Sequence, residues 1–241
     1  MINNQNYKVS AFGDFNSIVP TTENMMALLE KFKIYEFVPS IFNEIVVDNN
    51  NLPPQNVQRI ALISPSGNEQ IIIGTNRIDY IINSSESTEI EYDDITQIND
   101  KVLNCFRIIL EKFNRRASRL AINAESLITE MDNITEFLDK YSNPISLYSS
   151  SDLREWNTRL MTRKSIDIND ESEELNVITI LTRVNRKIEN ENEIKIEDGI
   201  VIHVDINTLY ENGNQRFSVN EIEGFLTFAI SLLQQIIKEI G

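Results

Sequence analysis

The chain has 241 residues, 37 acidic side chains against 22 basic ones, and a formal net charge of -15. That charge opposes binding to polyphosphate, whose affinity comes from Lys and Arg neutralising phosphates, and it opposes docking on an anionic bilayer. A single Cys, Cys105, and a single His, His203, exclude an internal disulfide and a thiolate zinc site.

Hydrophobic residues make up 41% of the chain, enough material for a core rather than for disorder. The 37 Ile against 18 Leu fit an AT-rich genome, such as a low-GC bacterium or its phage. The first residues, MINNQNYKVS, lack a basic run followed by an apolar one, and no stretch is apolar enough to span a bilayer. The chain therefore reads as cytoplasmic.

Residues 7–15 set Tyr7, Val9 and Ala11 against Lys8 and Ser10, the alternation of a strand. Met25, Met26, Leu29 and Phe32 then recur at helical spacing, with Thr21 or Thr22 as the N-cap. Residues 35–47 return to strand character, and Pro39 marks a bulge or an edge. Strands are predicted at 57–64, 69–75 and 77–83, joined by turns at Ser64–Asn68 and Gly74–Asn76. A long helix at 93–114 follows, with Asp93 or Asp94 as its cap and a stripe running from Ile95 to Phe113. The second half reads as a strand at 116–124, a helix at 125–141 and strands at 153–167, 174–188 and 199–209. A closing helix at 219–240 opens on the capping box Ser218 to Glu221.

Strand, helix, three or four strands, long helix is thus written twice. The expected fold class is α+β, in two β-α-β(3–4)-α halves at residues 1–115 and 116–241 that form one compact unit. Each antiparallel sheet would be covered by a long amphipathic helix. The element order resembles the duplicated topology of TATA-box-binding-protein-like folds, a likeness that carries no activity.

The segments IALISPSGNEQIIIGTNRIDYII, ILEKFNRRASRLAIN and IVIHVDINTL resemble a sporadically distributed bacterial family of about 250 residues, over residues 57–241. The chain departs from that family at Arg119–Asn123, where it keeps the Arg, the apolar alternation and the Asn. The family has no established activity. The resemblance implies a patchy bacterial or mobile-element distribution, and with it phage–host conflict.

The chemistry-bearing residues are few. His203 and Asp205 alternate to one strand face and form a base with its orienting carboxylate only if a nucleophile such as Cys105 stands near. Cys105 lies on or beside the apolar stripe of its helix, where a small core residue is the plainer reading. Asp167, Asn169 and Glu171 resemble a calcium loop, but Ser172 stands where the sharp turn needs Gly. Glu193 and Lys195 resemble the acidic-x-Lys of restriction-type nucleases, in what reads as a charged turn. No phosphate-cradling glycine motif occurs. No enzyme, metal or cofactor is expected.

Two surfaces remain. Arg154, Trp156, Arg159 and Arg163, with Arg183 and Arg186 on the next strand, form a candidate partner surface to which Arg115, Arg116 and Arg119 can add. Asp167, Asp170, Glu171, Glu173, Glu174, Glu189, Glu191 and Glu193 form a candidate acidic surface at hairpin ends. Residues 1–116 carry -5 and residues 117–241 carry -10, so the acidity belongs mainly to the second half. The expected function is protein–protein recognition without catalysis. The alternatives are an acidic decoy of nucleic acid that blocks a nuclease, and a small-ligand sensor. A protein partner is expected, direct nucleic-acid binding and membrane docking are not, and a homodimer is compatible with the chain.

Overall fold

A computed structural model describes residues 2–47, 53–84, 95–129, 137, 140–141, 155–169, 171–190 and 193–240. Its strands are β1 Ile2–Phe12, β2 Val38–Val46, β3 Gln55–Ile63, β4 Glu69–Ile73, β5 Arg77–Asn83, β6 Arg119–Ile128, β7 Asn157–Ile168, β8 Glu171–Asn190 and β9 Glu193–Thr208. Its long helices are α1 Thr22–Phe32, α2 Ile95–Lys112 and α3 Val219–Ile240.

Local chemistry sets several of these boundaries. Thr21 caps α1, its side chain accepting from the Asn24 amide at 3.2 Å. Gly67 supplies the left-handed residue of the β3–β4 turn, at φ 75°. The Arg77 carbonyl accepts from the Gly74 amide at 2.8 Å and closes the β4–β5 turn. At α3 only the backbone half of the capping box forms. The Ser218 amide donates to Glu221 Oε2 at 2.6 Å, and the Ser218 hydroxyl also turns to that carboxylate.

All nine strands join in one antiparallel sheet of order β2-β3-β4-β5-β1-β6-β9-β8-β7. This overturns the two-sheet expectation. β1 pairs β5 on one side and β6 on the other, the latter from Ile2↔Ile128 to Phe12↔Arg119, so the ladder crosses the 115/116 boundary. Nor does each half have its own covering helix. α2 and α3 pack on each other and share one core with α1. The reason is edge chemistry: a central strand with two free edges is satisfied by two neighbours, and sequence periodicity does not say which.

The helix-side face carries Tyr7, Val9, Ala11, Ile71, Ile78, Tyr80, Leu120, Ile122, Ile200, Ile202, Val204 and Ile206, all essentially fully buried. Val102, Phe106 and Ile109 of α2 and Phe225, Ala229 and Leu233 of α3 meet them. On the opposite face Lys8, Phe12, Asn123, Glu125, Val201, His203 and Asp205 are half-buried, and no described helix covers them.

The helix expected over 125–141 is corrected at its start, while residues 130–136 and 138–139 lie outside the described residues. β6 continues to Ile128 because Glu125–Ile128 pair with β1 on one side and with β9 on the other. Two ladders there outweigh helical spacing in a short apolar run. Phe137, Lys140 and Tyr141 have helical backbone. The expected caps Asp93 and Asp94 lie outside the described residues.

Candidate functional site

Cys105 and His203 are on opposite sides of the sheet. Cys105 is 0% exposed in the helix-side core, while His203 alternates with the buried Ile202 and Val204 and so takes the other face. Burial, offset in part by Lys101, pushes the Cys105 thiol up to about 12. Asp205 Oδ1 accepts from the side-chain amides of Asn123 at 3.0 Å and Asn207 at 2.9 Å, rather than from His203. Tyr80 is also perturbed. Burial and its hydrogen bond to Glu69 raise its hydroxyl far above the usual range, and Lys101 Nζ meets the same carboxylate oxygen at 2.6 Å. This cluster ties β4, β5 and α2 together. Among the described residues, no three His, Cys, Asp or Glu side chains are grouped to hold a metal ion.

The expected basic surface is divided. Arg159 and Arg163 are exposed on β7, one edge of the sheet, on the face away from the helices. Arg183 stands in register with the buried Ile200, on the helix side, and its side chain is 8% exposed against Asp198 Oδ2 at 2.8 Å. Trp156 precedes β7 and packs edge-on against Phe137 at 6.4 Å, beside the core rather than on an open face. The strand period hides this, since a residue's face depends on its register and not on its charge. Arg154 lies outside the described residues, as does the side chain of Arg186.

The acidic surface is divided too. Glu173 forms a two-pronged pair with Arg216, Nε to Oε1 at 2.5 Å and Nη2 to Oε2 at 3.0 Å. That pair pins the segment before α3 to β8. Glu174 lies 3.7 Å from Arg163, an ordinary cross-strand pair. Asp167 and Glu171 are exposed beside the β7–β8 turn at Asn169, whose φ is 50°. Asp170 and Glu191 lie outside the described residues, as do the side chains of Glu189 and Glu193.

Between the sheet and the end of α3 lies a cavity of 480 Å³ lined by Tyr141, Leu160, Thr179, Leu181, Ile236 and Ile240 among others. A groove of 220 Å³ lies between α2 and α3, lined by Asn99, Leu103, Leu226 and Ile230 among others.

A different surface stands out. Eleven large apolar side chains are exposed among the described residues, and eight fall within residues 19–47: Val19, Met26, Leu29, Ile34, Val38, Ile41, Ile45 and Val47. Ile34 is 76% exposed, Ile45 72% and Val47 68%. They sit on α1 and the segment before it, on the turn after it, and on β2 and the residue that follows it. β2 is the other edge of the sheet; it pairs β3 alone among the described strands.

Native edge strands are commonly guarded by charge. β7 follows that rule with Arg159, Arg163 and Lys164, and β2 does not. Its one ionisable residue, Glu44, is held by Arg59 Nε at 3.1 Å and by the Thr75 amide and hydroxyl at 2.9 and 2.7 Å. The sequence carries a partial signal for this surface in Pro39 and the Ile41-Asn43-Ile45 alternation, but only the fold shows that Glu44 is paired.

No family model matches the chain, and no curated protein or solved structure matches it. The resemblance to the sporadic bacterial family therefore rests on the sequence segments alone.

Proposed function

We propose that the protein is a non-enzymatic binding protein that recognises a protein partner through its β2 edge. One observation carries the reading: an edge strand whose single charge is paired, with the helix packed on it and the segments flanking them, holds most of the exposed large apolar side chains. Apolar patches of this kind mark protein contacts, and an open edge accepts an extended strand by main-chain hydrogen bonding. The partner segment is then an extended chain with apolar residues at alternate positions, set against Ile41, Ile45 and Val47. The decoy reading loses support because Glu173 and Glu174 are paired with Arg216 and Arg163. The setting in phage–host conflict rests on the family resemblance.

The test places a photo-crosslinking residue at Val47 and, separately, at Arg159 in cells of a low-GC bacterium. A discrete adduct is expected from Val47 and is lost when Ile41→Lys and Ile45→Lys charge the edge. Capture that survives both charges would sink the reading. Sedimentation of the pure protein separates the occupants: a dimer dissolved by Ile45→Lys makes the partner a second copy.

A further inference from the structure

The geometry points to a second binding site, for a carboxylate, at the end of the open face where β1 leaves the sheet. β1 is the central strand, so the site is remote from β2 and does not rest on the edge reading. Arg77, Phe12 and Arg119 are direct cross-strand partners on β5, β1 and β6. The two guanidinium carbons lie 5.7 and 4.6 Å from the Phe12 ring centroid.

Each guanidinium is anchored at one nitrogen. Arg77 Nε meets Asp79 Oδ2 at 2.6 Å, and Asp79 Oδ1 accepts from Ser10 Oγ at 2.6 Å. Arg119 Nε donates to the Thr208 carbonyl at 3.1 Å. The terminal nitrogens of both donate no hydrogen bond among the described residues. Two forks are therefore held in place with their outer donors free, which is the preorganisation that anion recognition requires.

Beside Phe12 and Arg119, and next to Arg77 in sequence at Asn76, opens a cavity of 280 Å³ also lined by Gly13, Ser118, Tyr210 and Asn212, with no carboxylate in its lining. Its side chains supply donors. The Asn212 Oδ1 accepts from the Asn214 amide at 3.3 Å, which leaves its NH₂ group to donate. The Tyr210 hydroxyl is on a 75% exposed side chain. The Phe12 ring offers an apolar floor for the methylene stem of an acid.

A singly charged carboxylate fits better than a phosphate because the chain already carries -15, and repulsion grows with ligand charge. The carboxylate is that of a free small acid or of an acidic peptide side chain.

Amide NMR of the full chain tests this with three probes: butyrate, a capped glycyl-glutamyl-glycine peptide, and inorganic phosphate. Butyrate or the peptide is expected to shift the Gly13, Ser118 and Arg119 amides saturably, and the tighter of the two names the source. Arg119→Ala and Arg77→Ala are expected to weaken that binding at least tenfold, Arg119→Lys less, and Arg159→Ala not at all. Thermal melts check that each variant is folded, and Arg119→Lys keeps the test open if the alanine variant is not. Saturation by phosphate with both carboxylates silent overturns the assignment, as does no saturation by any probe or full affinity in folded Arg119→Lys and Arg77→Ala.

Discussion

Arg59 is fully buried and donates four hydrogen bonds: Nε to Glu44 at 3.1 Å, Nη1 to the Asn16 carbonyl at 2.8 Å, and Nη2 to Asn16 Oδ1 at 2.8 Å and Thr75 Oγ1 at 2.7 Å. It ties β3 to the edge strand β2, to the segment after β1 and to the β4–β5 turn. Arg59→Met keeps much of the side-chain volume and removes every donor. Deleting one partner of a buried ion pair costs about 3–5 kcal/mol, because the remaining charge is left uncompensated. Glu44 keeps 25% side-chain exposure and can recruit water, so the lower end applies, about 3 kcal/mol. At a urea slope of about 3 kcal/mol per molar, the unfolding midpoint falls by roughly 1 M. Equilibrium urea unfolding followed by circular dichroism reads it. Glu44→Gln supplies the second arm, with a coupling of roughly 1–3 kcal/mol in the double-mutant cycle. A midpoint shift under about 0.3 M at unchanged slope would refute the reasoning. So would additivity of the two variants.

Cys105 is expected to resist thiol reagents at neutral pH, reacting only as fast as the chain opens, so that its labelling rate rises with urea; rapid labelling of the folded protein contradicts the core assignment. At Glu221 burial raises the carboxyl, but hydrogen bonds from Ser218 and Asn169 prevail and hold it below the ordinary range. Its contribution is therefore present above the unfolded carboxylate pKa and lost as pH falls through the lower folded value. Glu221→Gln should flatten that acid limb in pH-dependent melting, and an unchanged limb counts against it. A methyl group at Gly199 would lie 2.9 Å from the Ile128 carbonyl, a backbone atom of β6. Gly199→Ala is expected to cost roughly 1–3 kcal/mol in the same urea assay, and a neutral result means that β9 shifts freely.

Periodicity and turn chemistry set the elements. The Ile200–Ile206 alternation predicted both the buried face and the half-buried one that carries His203, and the Thr21 cap and the Gly67 turn stand where their chemistry placed them. β8 and β9 run longer than expected, because tight turns carry pairing out to Ile168↔Glu171 and Asn190↔Glu193, whereas β7 starts later than expected, at Asn157. The candidate surfaces were less legible. Arg159 and Arg183 look alike in a charged stretch, yet register sends one to the open face and the other against Asp198.

The one Cys and one His, with the -15 charge, bounded the chemistry before any fold was known. The amphipathic stripes of α2 and α3 likewise required apolar sheet surface to cover, though not that the two helices share one sheet. What only the tertiary structure decided is how the strands share edges. β1 accepts β6, so two expected sheets become one with its ends at β2 and β7. Main-chain pairing is nearly blind to side chains, so sequence leaves the choice of neighbour open. That choice leaves β2 open at an edge and brings Arg77 and Arg119 to the same Phe12 ring.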